Sequence, residues 1–307
     1  MLRGIYSHLT YFNKIILLTT LVLSFLLFSS LISILVLVPF YGSDVIGLLS
    51  NPDFNDASVI TAMKVMQVFN MAGGLLLPAL IFMWLSTART ERFTWFSASL
   101  NPIIVLLAVA LMALIQPVIG WAGDLNSYLS LPQVFSSLEQ WMQRAEEQGA
   151  LITNAFLSTT TTVGLLVNIF MIALLPAFAE EILFRGVLAK IFYKWTKNIH
   201  FAVIISSFIF AAIHLQFYGF LPRYLLGMVL GYLFLWSGSL WPSIAAHFTN
   251  NFLSVIIGYF YQKGLVKTTP EDFGMNNSAW ITAISFISVS GILFYIYRLS
   301  LAQRTKS

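Results

Sequence analysis

The chain has no cysteine, which excludes disulfides, thiol nucleophiles and thiolate metal sites. Charge is nearly as scarce: 9% of its residues are Asp, Glu, Lys or Arg, where a soluble domain carries roughly 25%. Histidine occurs only four times. There is no Gly/Ser linker, no low-complexity tract and no internal repeat. The net charge of +4 is too small to draw nucleic acid, so that partner is excluded. What fills the chain is apolar residues, 58% of the total. The reading is an all-α polytopic membrane protein, one helical domain over 1–307, with the lipid bilayer as its surroundings.

About eight apolar segments are long enough to span, each needing ~17–25 residues. They fall near 15–40, 60–86, 101–121, 158–193, 200–216, 222–237, 240–261 and 278–297. The fourth is too long for one perpendicular crossing, and Pro176 is a ready cause of a bend. In this eight-span arrangement Arg3, Lys14, Arg89, Arg92, Lys190, Lys194, Lys197, Arg298, Arg304 and Lys306 share one side. The other side carries most of the acids, with Lys64, Arg144, Arg223, Lys263 and Lys267 as its cations. The positive-inside rule then predicts both termini in the cytoplasm. The first apolar run, ~26 residues, exceeds a signal-peptide core and reads as a retained anchor. Residues 122–150 are expected as the longest outer loop. Within it 132–148 has Val134, Phe135, Leu138, Trp141 and Met142 near helical spacing, which predicts an interfacial amphipathic helix. Gly227 and Gly231 form a GxxxG, expected as a close-packing helix face and nothing more.

Against this apolar ground, Glu180 and Glu181 stand side by side inside the fourth segment. The other ten acids are expected in connecting loops. One carboxylate at membrane depth costs ~2.5–3.5 kcal/mol even on the lenient insertion scale, so the pair needs a reason. Arg185 follows Glu181 by four residues, acid first, the favourable order for a helical ion pair. Two of the histidines, His214 and His247, lie within spans, and His247 shares a helix face with Asn251. Glu180 lies 17 residues before Lys197 and His214 lies 17 after it. In an antiparallel pair turning there, both reach a level roughly 20–25 Å from the turn. His247, seven residues past Leu240, is expected shallower, roughly 10 Å in. Each residue also has a plain reading: a buried ion pair for Glu181 and Arg185, an interhelical hydrogen bond for each His, helix glue for Asn250 or Asn251. The combination is what favours chemistry. A carboxylate without a local cation, two imidazoles and an amide are the parts of water-mediated hydrolysis.

Glu180-Glu-Ile-Leu-Phe-Arg185 matches EExxxR, Phe210-Ala-Ala-Ile-His214 matches FxxxH, and His247-Phe-Thr-Asn-Asn251 matches HxxxN. Three such motifs in this order on successive spans resemble the CAAX-protease and bacteriocin-processing (CPBP, or Abi) family of intramembrane proteases. The resemblance covers about 158–258, which it implies is the catalytic core. It implies an intramembrane endopeptidase in which Glu180 activates water with help from His214. Glu181 would orient the site through Arg185, and His247 and Asn251 would donate to the oxyanion. Its substrate would be a peptide or protein, with or without a lipid. The site would open to the cytoplasm or the bilayer, in a chain suited to a prokaryotic inner membrane.

The cofactor stays open at this level, either none or one divalent metal such as zinc. In the metal case Glu180, His214 and His247 would be ligands, with a position left for water. No HExxH pair fixes two ligands on one helical face. Two other classes share these residues. A proton-coupled transporter would use Glu and His as a relay, but commonly shows repeated halves. A non-catalytic membrane scaffold would need none of the chemistry.

Overall fold

The computed structural model describes residues 3–87, 101–129, 131–275 and 278–304. Every regular element among them is helical, the arrangement that satisfies backbone groups within each segment when no water is near. In chain order these are α1 (Tyr11–Tyr41), α2 (Val45–Ser50), α3 (Ala57–Ser86), α4 (Pro102–Leu114), α5 (Gln116–Ser127) and α6 (Ser136–Leu157). The core follows as α7 (Thr162–Thr196), α8 (Ile199–Ala212), α9 (Phe220–Ser237) and α10 (Leu240–Gln262), then α11 (Ala279–Arg304). Starts are set by side-chain caps: Thr10, Asp56, Asn101, Thr161, Asn198 and Ser239 each accept from a backbone N–H of the first turn.

Five helices, α1, α3, α7, α9 and α11, are long and apolar enough to cross a membrane, and α4 with α5 makes a sixth if the bent pair is one span. α8 is shorter, with 14 residues. α10 has 23 residues but is diluted by Ser243, His247, Asn250 and Asn251. Of the residues used for orientation, Arg89, Arg92 and Lys306 lie outside the described residues.

Three prolines meet two different fates. A proline clashes with the carbonyl four residues back and removes a donor. Before Pro78 and Pro176 the helix widens into π turns, Asn70–Leu76 and Ile169–Leu174. Those turns contain the two carbonyls concerned, Gly74 and Ile172. α7 therefore runs through Pro176 as one helix of 35 residues, with a local widening before the proline. At Pro117 there is no such turn, and the chain bends by 46° between α4 and α5.

The 122–150 stretch is not a loop. α5 continues to Ser127, and a 3₁₀ turn at Gln133–Phe135 leads into α6. The amphipathic helix extends to Leu157, beyond its expected end, with Val134, Phe135, Leu138 and Trp141 exposed. Asp124, Glu139, Glu146 and Glu147, expected in a loop, lie on these helices. Lys64 and Arg223, counted with the outer cations, lie inside α3 and α9. Lys64 donates to Asn168 at 2.9 Å, and Asn168 donates to the Phe156 carbonyl at 2.7 Å.

Two apolar cores flank the polar groups. One joins Ala177–Phe192 of α7 with α1, α3 and α8. The other joins α4, α9, α10 and α11 around Leu111, Leu233 and Ile296. The site lies at their seam, where Phe210 comes from the first core and Met112 and Leu230 from the second.

Candidate active site

Glu181 opens a π-helical stretch, Glu181–Ala189, in which every residue is buried. Its carboxylate is 0% exposed and fully engaged. Arg185 Nη1 donates to Oε1 at 2.8 Å, as the spacing of four predicts. His247 Nδ1 reaches the same oxygen at 2.8 Å, and Ser243 Oγ donates to Oε2. A carboxylate held by an arginine accepts only, so the proton of the His247 contact sits on Nδ1. Arg185 Nη2 donates to the Gly227 carbonyl at 3.1 Å, and the guanidinium lies over the Phe210 ring at 4.6 Å.

Gly227 explains how that carbonyl is reached. A Cβ there would meet Ser207 Cβ at 3.0 Å, and one at Gly231 would meet Val203 at 3.1 Å. The GxxxG thus brings α9 against α8, as expected, and in addition presents a backbone acceptor to Arg185.

Glu180 is in a different state. It is 6% exposed and accepts no hydrogen bond among the described residues; His247 Nε2 stands 3.8 Å from its Oε2. The differing depths expected for Glu180 and His247 therefore converge. Both line a cavity of about 140 Å³ together with Phe210, His214, Arg223, Asn250 and Asn251. This is small beside the ~300–1,000 Å³ of ordinary ligand pockets, and suits one peptide group with water.

His214 is held by the end of its helix. α8 stops at Ala212, and the His214 N–H turns to the Ala211 carbonyl. The Phe210 carbonyl, left without its helical donor, is met by His214 Nδ1 at 2.7 Å. Leu215, at φ 54°, then turns the chain away. Nε2 is left as the second ring nitrogen of His214.

Asn251 answers the proline in α7. The helical donor for the Ile172 carbonyl would be the N–H of residue 176, which proline lacks. Asn251 Nδ2 donates to that carbonyl at 3.1 Å. Its Oδ1 accepts from Asn250 Nδ2 at 3.2 Å, and Asn250 Oδ1 accepts from Gln116 Nε2 at 3.3 Å. One N–H of Asn251 remains.

The structure thus places Glu180, His214, His247 and Asn251 on one cavity, with Glu181 and Arg185 behind it. Sequence reasoning missed Ser243, which sits four residues before His247 on the same face of α10. It also missed Arg223 as a wall of the cavity and Gln116 as the start of the amide chain. Among the described residues no three His, Asp or Glu gather closely enough to hold a metal ion. The Nδ1-tethered imidazoles have the orientation seen in metal-ligating histidines, but among the described residues the ligand set is not assembled.

Residues 162–253 match the family model described as type II CAAX prenyl endopeptidase Rce1-like. The uncharacterised protein YpbD of Bacillus subtilis (strain 168) is similar, 36% identical over 85 residues, which are 26% of this chain and 40% of that protein. The chain therefore spans less than half of that relative's length. No solved structure matches it. The matched segment starts with α7, ends two residues past Asn251, and contains all three motifs. Residues 162–253 are thus similar to the Rce1-like type II CAAX prenyl endopeptidases of the CPBP family.

Proposed function

We propose that the chain is an intramembrane endopeptidase of CAAX-protease type. The observation that carries this is the asymmetry of the buried acid pair. Glu181 is saturated by Arg185, Ser243 and His247, while Glu180 has no hydrogen bond among the described residues and lies beside two imidazoles in a small cavity.

In this reading a water in the cavity gives its proton to Glu180, assisted by His214, and its oxygen attacks the scissile carbonyl. The tetrahedral oxyanion accepts from Asn251, whose second amide N–H is uncommitted, and from His247 Nε2 when that ring is doubly protonated. Collapse breaks the C–N bond, and the proton held by Glu180 passes to the leaving amine. Glu181, fixed by Arg185 and Ser243, sets the tautomer and angle of His247. The peptide enters extended, because a helix shields its own carbonyls.

The similarity to CAAX prenyl endopeptidases points to a C-terminal, prenylated substrate. The reading includes peptides or proteins at the membrane with or without a lipid. The same proposal extends α4–α5, α8 and α10 to full spans, giving eight, with both termini in the cytoplasm of a prokaryotic cell membrane and the site open to that side. In support, Lys14, Lys190 and Lys194 line one cavity, gathering the start of α1 and the end of α7 at one face.

The test is cleavage, in detergent, of a pool of lipidated and unlipidated peptides, beside Glu180→Gln and with a chelator added. Cleavage lost in the variant and kept under chelation is expected. Loss under chelation with rescue by zinc would replace the glutamate reading with a metal one. A Glu180→Gln protein that cuts like wild type would sink both.

A further inference from the structure

One wall of the cavity belongs to none of the three motifs. Arg223, in the first turn of α9, lines it with Glu180, His214 and His247. One edge of its guanidinium is pinned: Nη1 donates to the Gln216 carbonyl at 3.3 Å and Nη2 donates to Gln216 Oε1. Gly219, four residues earlier, leaves the room it occupies, since a Cβ there would collide with Nη1. Of five N–H donors, two are given to Gln216.

No carboxylate among the described residues lies within ion-pair distance of Arg223. Glu146 and Glu180 are the acids whose charge acts on it, and Glu146 Oε2 instead accepts from the Tyr218 N–H at 3.1 Å. A permanent cation in a membrane helix, paired only to neutral acceptors and open on a catalytic cavity, is a costly arrangement.

The other donors in the cavity are limited. His247 Nδ1 is committed to Glu181, so Nε2 donates only from the doubly protonated ring. Asn251 has spent one N–H on Ile172. Arg185, behind the cavity, is 1% exposed and tied to Glu181 and Gly227. Of the residues that line the cavity, Arg223 alone carries a full positive charge whatever the state of its neighbours. In a cavity of about 140 Å³, a carbonyl placed for attack near Glu180 is also near that charge.

We propose that Arg223 is a catalytic residue of this chain, its guanidinium stabilising the oxyanion of the tetrahedral intermediate. This rests on the protease reading above. The carbonyl oxygen gains a full negative charge only after attack, so the interaction strengthens in the transition state and acts on kcat more than on KM.

The experiment measures kcat and KM in detergent on a fluorogenic peptide ending in a farnesylated Cys-aliphatic-aliphatic-X sequence, and on its unlipidated and C-terminally amidated forms. The proteins are wild type, Arg223→Met, Arg223→Lys, Arg223→Ala with and without added guanidinium, and Glu180→Gln. Arg223→Met is expected to lose roughly 10²–10³-fold in kcat with KM within about threefold. The loss should be equal on free and amidated C-termini. Arg223→Lys should recover part of it, and guanidinium should partly rescue Arg223→Ala, which a merely misfolded protein would not show. A rise in KM confined to substrates with a free carboxylate would overturn the proposal in favour of a ground-state anchor. Unchanged kcat in Arg223→Met beside a dead Glu180→Gln would overturn it while leaving the protease reading intact. Active Glu180→Gln, or a wild type that cuts none of the peptides, would overturn both.

Discussion

Two carboxylates on consecutive residues of one helix live in opposite environments. Behind the cavity, Glu181 has both oxygens engaged and no exposed surface. Facing it, Glu180 keeps both oxygens free of hydrogen bonds among the described residues, 3.8 Å from His247 at the nearest ion-pair approach. The first arrangement makes a fixed charge that holds other groups still. The second suits the base of the proposed reaction, which needs somewhere to put a proton. Their separation by one residue is what lets a single imidazole touch both, through Nδ1 on one side and Nε2 on the other.

The sharpest way to break the comparison is to neutralise each member in turn. Glu180→Gln removes the proposed base and keeps the shape. Cleavage should fall about 10²–10⁴-fold, ~2.7–5.5 kcal/mol of barrier, with thermal unfolding in detergent unchanged. A comparable drop in Tm would mean that Glu180, too, is structural. Arg185→Met does the reverse, leaving Glu181 charged, buried and unpaired. Breaking such a pair costs about 3–5 kcal/mol, so unfolding temperature should fall steeply. The double variant Glu181→Leu with Arg185→Met should regain much of that stability, since apolar replacement of a whole buried pair is often neutral. It should nevertheless stay inactive, because His247 Nδ1 has lost its acceptor. A double variant that regains activity would show that Glu181 has no part in placing His247.

Ser243→Ala is a finer cut. It leaves Glu181 Oε2 without its donor, at a cost of ~1–3 kcal/mol, and spares Arg185. Thermal unfolding should register that loss, and kcat should fall less than in Glu180→Gln. Unchanged stability would mean that the carboxylate does not depend on Ser243.

Much of this was legible in the chain itself. The acid pair, the Glu181–Arg185 spacing and the three motifs are local patterns, and helices turn such patterns into shared faces. The convergence of Glu180 and His214 followed from equal distances to the Lys197 turn. What sequence could not show is partnership with backbone. The Gly227 carbonyl that holds Arg185, the Phe210 carbonyl that orients His214 and the Ile172 carbonyl that takes up Asn251 have no side-chain signature. Pro176 did advertise an orphaned acceptor, but not that a π turn and an amide from α10 would meet it. Arg223 was visible as a cation of the outer side, yet only the fold makes it a cavity wall.

The smallest predicted effect concerns how far the Glu180 environment extends from the motifs. Gln116 stands at the 46° break between α4 and α5 and begins the amide chain that ends on Ile172. Gln116→Leu fills similar volume and removes the first link, worth about 0.5–1.5 kcal/mol for a neutral hydrogen bond. Asn250 then has no donor for its Oδ1, and the amides are free to flip. If the chain holds Asn251 with an N–H directed at the cavity, kcat should fall several-fold with little change in Tm. If Asn251 is fixed by the Ile172 carbonyl alone, kcat should not move. The part of the site that steadies Glu180's partners would then end at α10 rather than reach across to α4.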